Sequence, residues 1–272
     1  MVGLFQFAKL GSGKSYLWKM RSILFIILLI SSEAIYSQKN FTWSHGGIIR
    51  GDTHTKKIAL VFSADEYGDG AEFIISTLEK EQIQASFFFT GKFLKNDRYA
   101  QVTRRLIKNG NYVGSHSYGH ILYCDWNKRD STLVTEQEFM QDLNQSFALI
   151  RKFGIEKYSA RFFLPPYEWY NDTISKWSTS YGLQLINFTP GTYSNADYTT
   201  PDMGLRYLDS DTIYNRIIRF ERQQQNGLNG FILLIHAGTA PTRTDKFYYK
   251  LPQLIIQLKS EGYLFVRIDE LL

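Results

Sequence analysis

From residue 57 onward the chain alternates short, almost wholly apolar runs with longer stretches in which apolar residues return every three or four positions. Residues 57–62 are the first apolar run, of strand length and without a polar face, the pattern of a strand buried on both sides. It empties into Ser63-Ala64-Asp65-Glu66-Tyr67-Gly68-Asp69-Gly70, an acidic, glycine-rich stretch. Phe73, Ile74, Thr77 and Leu78 then recur at helical spacing. Residues 85–90 predict a second strand, residues 99–108 a helix stopped at Asn109-Gly110, and residues 112–114 a third strand. The alternation continues with an amphipathic helix over 136–153, a strand over 161–164, another over 183–188, a helix over 212–224 and a strand over 231–235 ending on His236. A helix over 249–258 and a strand over 263–268 finish the chain. Repeated strand-helix units with buried strands predict an α/β fold whose parallel sheet is rolled into a (β/α) barrel.

Composition adds compartment and partners. A hydrophobic fraction of 44% over 272 residues is ample for one large core, read here as a single catalytic domain over 56–272 with a connecting segment at 38–55. Lys14, Lys19 and Arg21 precede a short apolar run over 23–30, followed by small and polar residues. That order is a secretory leader over 1–37, too short to span a bilayer comfortably; Met20 opens a more ordinary leader, which makes residues 1–19 a candidate start-site artefact. The expectation is an exported protein, periplasmic or extracellular, with no stable membrane insertion. Within the leader, Gly11-Ser12-Gly13-Lys14-Ser15 imitates a phosphate-binding loop, but no strand precedes it. Removing residues 1–37 takes 31 basic and 26 acidic residues to 27 and 25, so the apparent basicity belongs to the leader and no nucleic-acid partner is expected. The one cysteine, Cys124, rules out an internal disulfide and reads as a packing residue.

The chemistry falls where predicted strands end. His116 and His120, two of five histidines, are four apart in Gly114-Ser115-His116-Ser117-Tyr118-Gly119-His120; one helical turn there would put both imidazoles on one face, able to hold one metal ion. Asp65 and Glu66, Arg161 with Tyr167, and His236 also lie just beyond strand C-terminal ends, which a βα barrel gathers on one face. Two histidines and a carboxylate leave coordination positions open for water. A second carboxylate can then take a proton and a further histidine give one.

Taken together, the acidic loop, Ser86-Phe87-Phe88-Phe89-Thr90-Gly91, the histidine pair, Arg161-Phe162-Phe163-Leu164-Pro165-Pro166-Tyr167 and Leu233-Leu234-Ile235-His236 resemble, in this order, the NodB-like polysaccharide deacetylases of carbohydrate esterase family 4. The resemblance implies a distorted (β/α) barrel and metal-dependent hydrolysis of N- or O-linked acetyl groups on an acetylated polysaccharide or oligosaccharide. It implies His116, His120 and Glu66 as ligands of a divalent metal, zinc first, with cobalt or nickel as fits, and Asp69 as the alternative acidic ligand. Asp65 is then the base, Arg161 the cation that keeps it ionised, the Tyr167 N–H the oxyanion donor, and His236 the acid. Pro166, Tyr167, Trp169 and Tyr198 would line the sugar groove. Ser63-Ala64 intervene where the family has adjacent aspartates, Leu164 stands where many members carry a second arginine, and the aspartate-tryptophan motif has no clear copy; Asp197 and Tyr198 lie in its region. Two other classes remain open. One is a non-catalytic sugar-binding protein on the same scaffold. The other is a glycoside hydrolase pairing Asp65 with Glu168, which needs no metal.

Overall fold

The computed structural model describes residues 40–272, so the leader lies outside the described residues. The segment expected only to connect contributes a hairpin of its own, β1 (Thr42–Ser44) and β2 (Gly47–Arg50). The repeating units follow: β3 (Lys57–Ala64), α1 (Ala71–Glu81), β4 (Ser86–Phe89), α2 (Gly91–Lys95), α3 (Asp97–Lys108) and β5 (Tyr112–Ser115). Next come α4 (Glu136–Arg151), β6 (Phe162–Phe163), α5 (Asp172–Ser180), β7 (Gln184–Leu185), α6 (Ser210–Gln223) and β8 (Phe231–His236). The chain closes with α7 (Leu251–Ser260), β9 (Leu264–Val266) and α8 (Ile268–Leu271).

All the pairings in the seven-stranded sheet are parallel, in the order β7-β6-β5-β4-β3-β8, with β9 beside the first residues of β3. The sheet curls into a half-barrel, the distorted barrel the sequence predicts. Its edge strands, β7 and β8, do not pair with each other. Instead Asn187 donates its N–H to Ile48 O (2.9 Å), Thr189 to Ile232 O (3.0 Å) and Gly51 to Gly230 O (2.7 Å), so β2 and the chain after β7 seal the seam. The apolar run over 183–188 therefore yields only a two-residue strand: Asn187 and Thr189 use their amides across the seam rather than in a ladder.

Strand alternation places the site. Ile58, Leu60 and Phe62 face the helices, whereas Ala59 and Val61 of β3, Phe88 of β4, Leu164 after β6, and Ile232 and Leu234 of β8 fill the barrel. Ile268, Leu271 and Leu272 plug it from the strand N-terminal end. Because side chains repeat every two residues, the next inward positions beyond these apolar layers are Ser63, Thr90, His116 and His236. Gly114, one step below His116, has no room for a side chain: a Cβ there would meet the Phe88 ring at 2.7 Å.

Candidate active site

The histidine loop does not take a helical turn. Ser117 (φ 72°) and His120 (φ 49°) are left-handed, yet the two imidazole centroids lie 5.0 Å apart. Asp142, on the buried stripe of α4, holds the loop from behind: its carboxylate accepts the N–H groups of Tyr118 (2.9 Å) and Gly119 (2.7 Å) and the hydroxyl of Tyr123 (3.0 Å). His116 Nδ1 lies 2.9 Å from the carbonyl of Leu164. A carbonyl only accepts, so Nδ1 carries the proton and Nε2 presents a lone pair. Burial, joined by the neighbouring His120, drives the His116 pKa well below the usual histidine range and keeps the ring neutral.

Opposite, the turn after β6 is strained in a purposeful way. Pro165-Pro166 precede Tyr167 (φ 58°) and Glu168 (φ 53°), two successive non-glycine residues in the left-handed region, at a cost of about 1–2 kcal/mol each. The turn is clamped by the Glu168 N–H on Pro165 O (3.1 Å) and by Asn187 Nδ2 on Glu168 O (2.7 Å). Its effect is to send Tyr167 outward, 44% exposed, and the Glu168 carboxylate inward, only 10% exposed and 3.9 Å from His116 Nε2. Burial pushes the Glu168 carboxyl up to about 7, against the pull of His236.

His236 ends β8 and is oriented by Asp197, 1% exposed in the 3-10 turn Ser194–Tyr198. One Asp197 oxygen takes the His236 Nδ1 proton at 2.6 Å and the other its backbone N–H at 2.9 Å. Burial alone would lower the His236 pKa, but the charge and hydrogen bond of Asp197, helped by Glu168, raise it above the ordinary value. The protonated form of the ring is favoured, and its free edge faces the cavity. The Tyr198 ring stands edge-on to it at 5.5 Å.

The acidic loop differs from its expected roles. Asp65 reaches the cavity and accepts the Thr90 hydroxyl at 2.8 Å. Glu66, expected as a ligand, also borders the cavity but pairs with Lys92 at 3.0 Å with its side chain 54% exposed. Asp69 is structural: it accepts the Thr239 N–H (3.0 Å) and the Tyr248 hydroxyl (2.9 Å) and pairs with Lys246 (3.1 Å), tying two rim loops together. Arg161 is not beside Asp65. It precedes β6 and so sits at the other end of the barrel, in a hollow with Gly110, Tyr112 and Arg267, its guanidinium over the Phe162 ring. Trp169 lies behind the groove wall: its indole donates to Asp125 O (3.1 Å) and stacks on Trp126, which faces the cavity in its place. Pro166 is buried under the turn.

What the strands bring together is a cavity of about 780 Å³ lined by Ser63, Asp65, His116, His120, Glu168 and His236, with Trp126, Tyr167 and Tyr198 as aromatic walls. The Ser63 hydroxyl is buried there without a hydrogen-bond partner among the described residues. For the expected metal the donors decide. His116 Nε2 is free and His120 stands beside it, but Glu66 is committed to Lys92. Among the described residues no three His, Cys, Asp or Glu side chains are grouped to hold a metal ion. Two imidazoles fall short of the three protein ligands of a catalytic zinc centre, so the donors as placed do not fit it and no step below runs through a metal. The sequence pattern gives Asp142 no role and leaves Asp197 only in the region of the missing motif. The available signals were an aspartate on the apolar stripe of an amphipathic helix and an aspartate in the stretch where an acid-orienting group is missing.

Comparison with known proteins agrees with this architecture. A family model described as polysaccharide deacetylase matches residues 50–186. A peptidoglycan-N-acetylglucosamine deacetylase of Bacillus cereus is 21% identical over 236 residues, covering 85% of this chain and 74% of that protein. A bifunctional xylanase/deacetylase of Pseudobutyrivibrio xylanivorans is 26% identical over 217 residues, 79% of this chain and 30% of that protein. Among solved structures, the family 4 carbohydrate esterase PdaA of Bacillus subtilis superposes with a TM-score of 0.65 at 22% identity, covering 84% of this chain and 85% of that one. A family 4 pseudoenzyme from Bacillus anthracis superposes with a TM-score of 0.62, also at 22% identity, covering 84% and 69%. No described helix is long and apolar enough to cross a membrane. With the curled parallel sheet, the cavity at its strand ends and the family match in agreement, the chain belongs to the polysaccharide deacetylase family.

Proposed function

We propose that the protein hydrolyses acetyl groups, N- or O-linked, from a polysaccharide or oligosaccharide outside the cytoplasm. The observation that carries this reading is the buried Asp197–His236 pair facing His116 and Glu168 across one cavity. Water attacks the acetyl carbon while a carboxylate at the cavity, Asp65 or Glu168, takes its proton. The Tyr167 N–H meets the developing oxyanion, a contribution of about 3 kcal/mol in comparable sites. As the bond to the sugar breaks, its electron pair goes to the departing nitrogen or oxygen, which His236 protonates; acetate and the free amine or hydroxyl remain. Trp126, Tyr167 and Tyr198 offer faces on which sugar rings stack. The relatives named for peptidoglycan and xylan set the substrates to try first.

The test is acetate release from peptidoglycan, N-acetylated chitooligosaccharides and acetylated xylan, before and after chelation, with zinc, cobalt or nickel added back. Acetate without shortened sugars is the expected result. Activity that follows the added metal would show that a cation recruits a third donor beside His116 and His120. The second reading, a sugar-binding protein without catalysis, is favoured by one feature: Ser63 and Ala64 fill the end of β3 and Glu66 is paired with Lys92. Binding of these glycans with acetate from none of them would select it.

A further inference from the structure

Among the described residues the cavity wall holds one lysine or arginine, Arg206, and its guanidinium forms no ion pair or hydrogen bond there. The residue sits on a strap over 200–207 whose two ends are fastened from below. Arg243, 0% exposed, donates to Thr199 O (2.6 Å), Leu208 O (3.0 Å) and Asp245 O (2.6 Å), and the Leu208 N–H reaches Thr199 Oγ1 at 3.3 Å. A buried guanidinium is tolerated only where its donors are met, so this one fixes both ends of the strap. Between them the printed backbone bonds, Met203 N–H to Thr200 O and Tyr207 N–H to Gly204 O, stay within the strap. Met203 and Arg206 face the cavity, and Leu205 at the bend beside Gly204 (φ 59°) is fully exposed. Past Asp65, His120 and Tyr167 the space continues into a second hollow of about 530 Å³ that holds two further cations. There Lys92 is neutralised by Glu66, and Lys95 rests on Tyr118, donating to its hydroxyl at 3.1 Å.

On the deacetylase reading above, we infer that the substrate carries a carboxylate close to its acetylated sugar, and that Arg206 receives it and sets a preference for acidic over neutral glycans. An arginine is always charged, and its fork of donors matches a carboxylate with two parallel hydrogen bonds. A strap anchored at both ends presents that fork without the chain having to order itself on binding. Acetylated glycans supply such a carboxylate in two ways, as the lactyl ether of a muramoyl sugar or as a uronic acid branch. The chemistry at Arg206 is the same for both.

Two polymers separate the sources: peptide-free peptidoglycan strands with their lactyl carboxylates, and acetylated glucuronoxylan. Each is compared with a copy whose carboxylates are amidated by carbodiimide, and the readout is the acid-to-amide ratio of kcat/KM for acetate release. Rates on 4-nitrophenyl acetate, which has no sugar and whose phenolate leaves without a proton, normalise each variant for active enzyme. Wild type should favour the acid form of at least one polymer by about five-fold to ten-fold, and that polymer identifies the source. Arg206→Gln should bring the ratio to within about two-fold of one, through KM rather than kcat, while Arg206→Lys keeps part of it and Arg206→Glu inverts it. Added salt should shrink the wild-type preference. Arg206 is exposed, so these variants disturb no core packing. The inference is overturned if wild type treats acid and amide forms of both polymers within about two-fold, or if Arg206→Gln leaves the ratio unchanged. It is also overturned if Lys95→Gln abolishes the ratio instead, which places the carboxylate in the second hollow. A wild type inert on all four polymers overturns the deacetylase reading itself, a result distinct from active wild type without a preference.

Discussion

On the β5 side of the cavity each group facing the interior is fixed from behind: His116 by the Leu164 carbonyl, its loop by Asp142, and the strand end by Ser115 on Ser146 at 2.8 Å. On the β3 side, Asp65 hangs from one threonine hydroxyl and Glu66 pairs with Lys92 on a side chain more than half exposed. The two sides carry the residues that a motif reading treats as equal partners, and burial separates them. A carboxylate held in a low-dielectric, multiply bonded setting is fixed in geometry; one at the surface keeps its freedom and its solvent. In this molecule the buried carboxylates are Asp142 and Asp197, each held by several hydrogen bonds, and Glu168, whose carboxyl pKa burial raises; all three come from outside the acidic loop.

The hardest test of that contrast is Asp197→Asn. It keeps the shape of the pair while removing the charge that raises the His236 pKa, so glycan deacetylation should fall about 100-fold to 10,000-fold, with 4-nitrophenyl acetate hydrolysis largely spared. A loss below about three-fold on the glycan would mean that His236 works without its aspartate and that the rigid side of the cavity is only architecture. The pH profile should change with it: the limb on which activity falls as His236 loses its proton should move to lower pH in Asp197→Asn.

Second in size is Asp142→Ala. It strands the buried Tyr123 hydroxyl and two partly buried backbone N–H groups, and should lower unfolding free energy by about 2 kcal/mol in denaturant titration. Activity should fall further than stability alone explains, because the histidine loop loses its anchor. An unchanged midpoint would place the hold on that loop elsewhere.

Much of this arrangement was readable from the chain. The runs at 57–62, 85–90 and 231–235 are strands because both of their faces are buried, and periodicity reports burial directly. The run at 231–235 and the short one at 112–114 put His236 and His116 at strand ends. What periodicity does not report is which end of a strand a flanking residue occupies relative to the site: Arg161 and Tyr167 flank one short strand, and only Tyr167 is on the cavity side. Nor does it report backbone sign. The left-handed conformations of Ser117, His120, Tyr167 and Glu168 are carried by no glycine, so the helical turn expected between the histidines and the inward aim of Glu168 were both invisible to local propensity. Asp142 was hidden for another reason, since a buried aspartate on an apolar stripe acquires meaning only from the loop packed over it.

A smaller effect tests the same burial through stability. The Glu168 carboxyl is raised to about 7 from 4.5, so the folded protein keeps this proton where the unfolded chain gives it up. Stability is therefore unaffected below about pH 4, falls as pH rises through the interval from 4.5 to 7, and stays lowered above it. Glu168→Gln removes that penalty and should be more stable than wild type by about 3 kcal/mol at pH 8, with no difference near pH 4. Equal stabilities at both values would mean that the carboxyl is solvated, and would weaken the case for its placement at the cavity floor.

At the other extreme stand Glu66→Gln and Arg161→Gln, for which acetate release should remain within about two-fold of wild type. The reasons differ. Glu66 gives up an exposed pairing with Lys92 that water and salt already screen, whereas Arg161 stacks on Phe162 at the barrel end away from the cavity. These near-silent outcomes sharpen the contrast, because both residues carry charge at positions that motif order favours. If Glu66→Gln removed activity together with bound metal, the acidic loop would have to swing inward when a cation enters. The flexible side of the cavity would then be the part that assembles the site on binding, with the buried side as its fixed template.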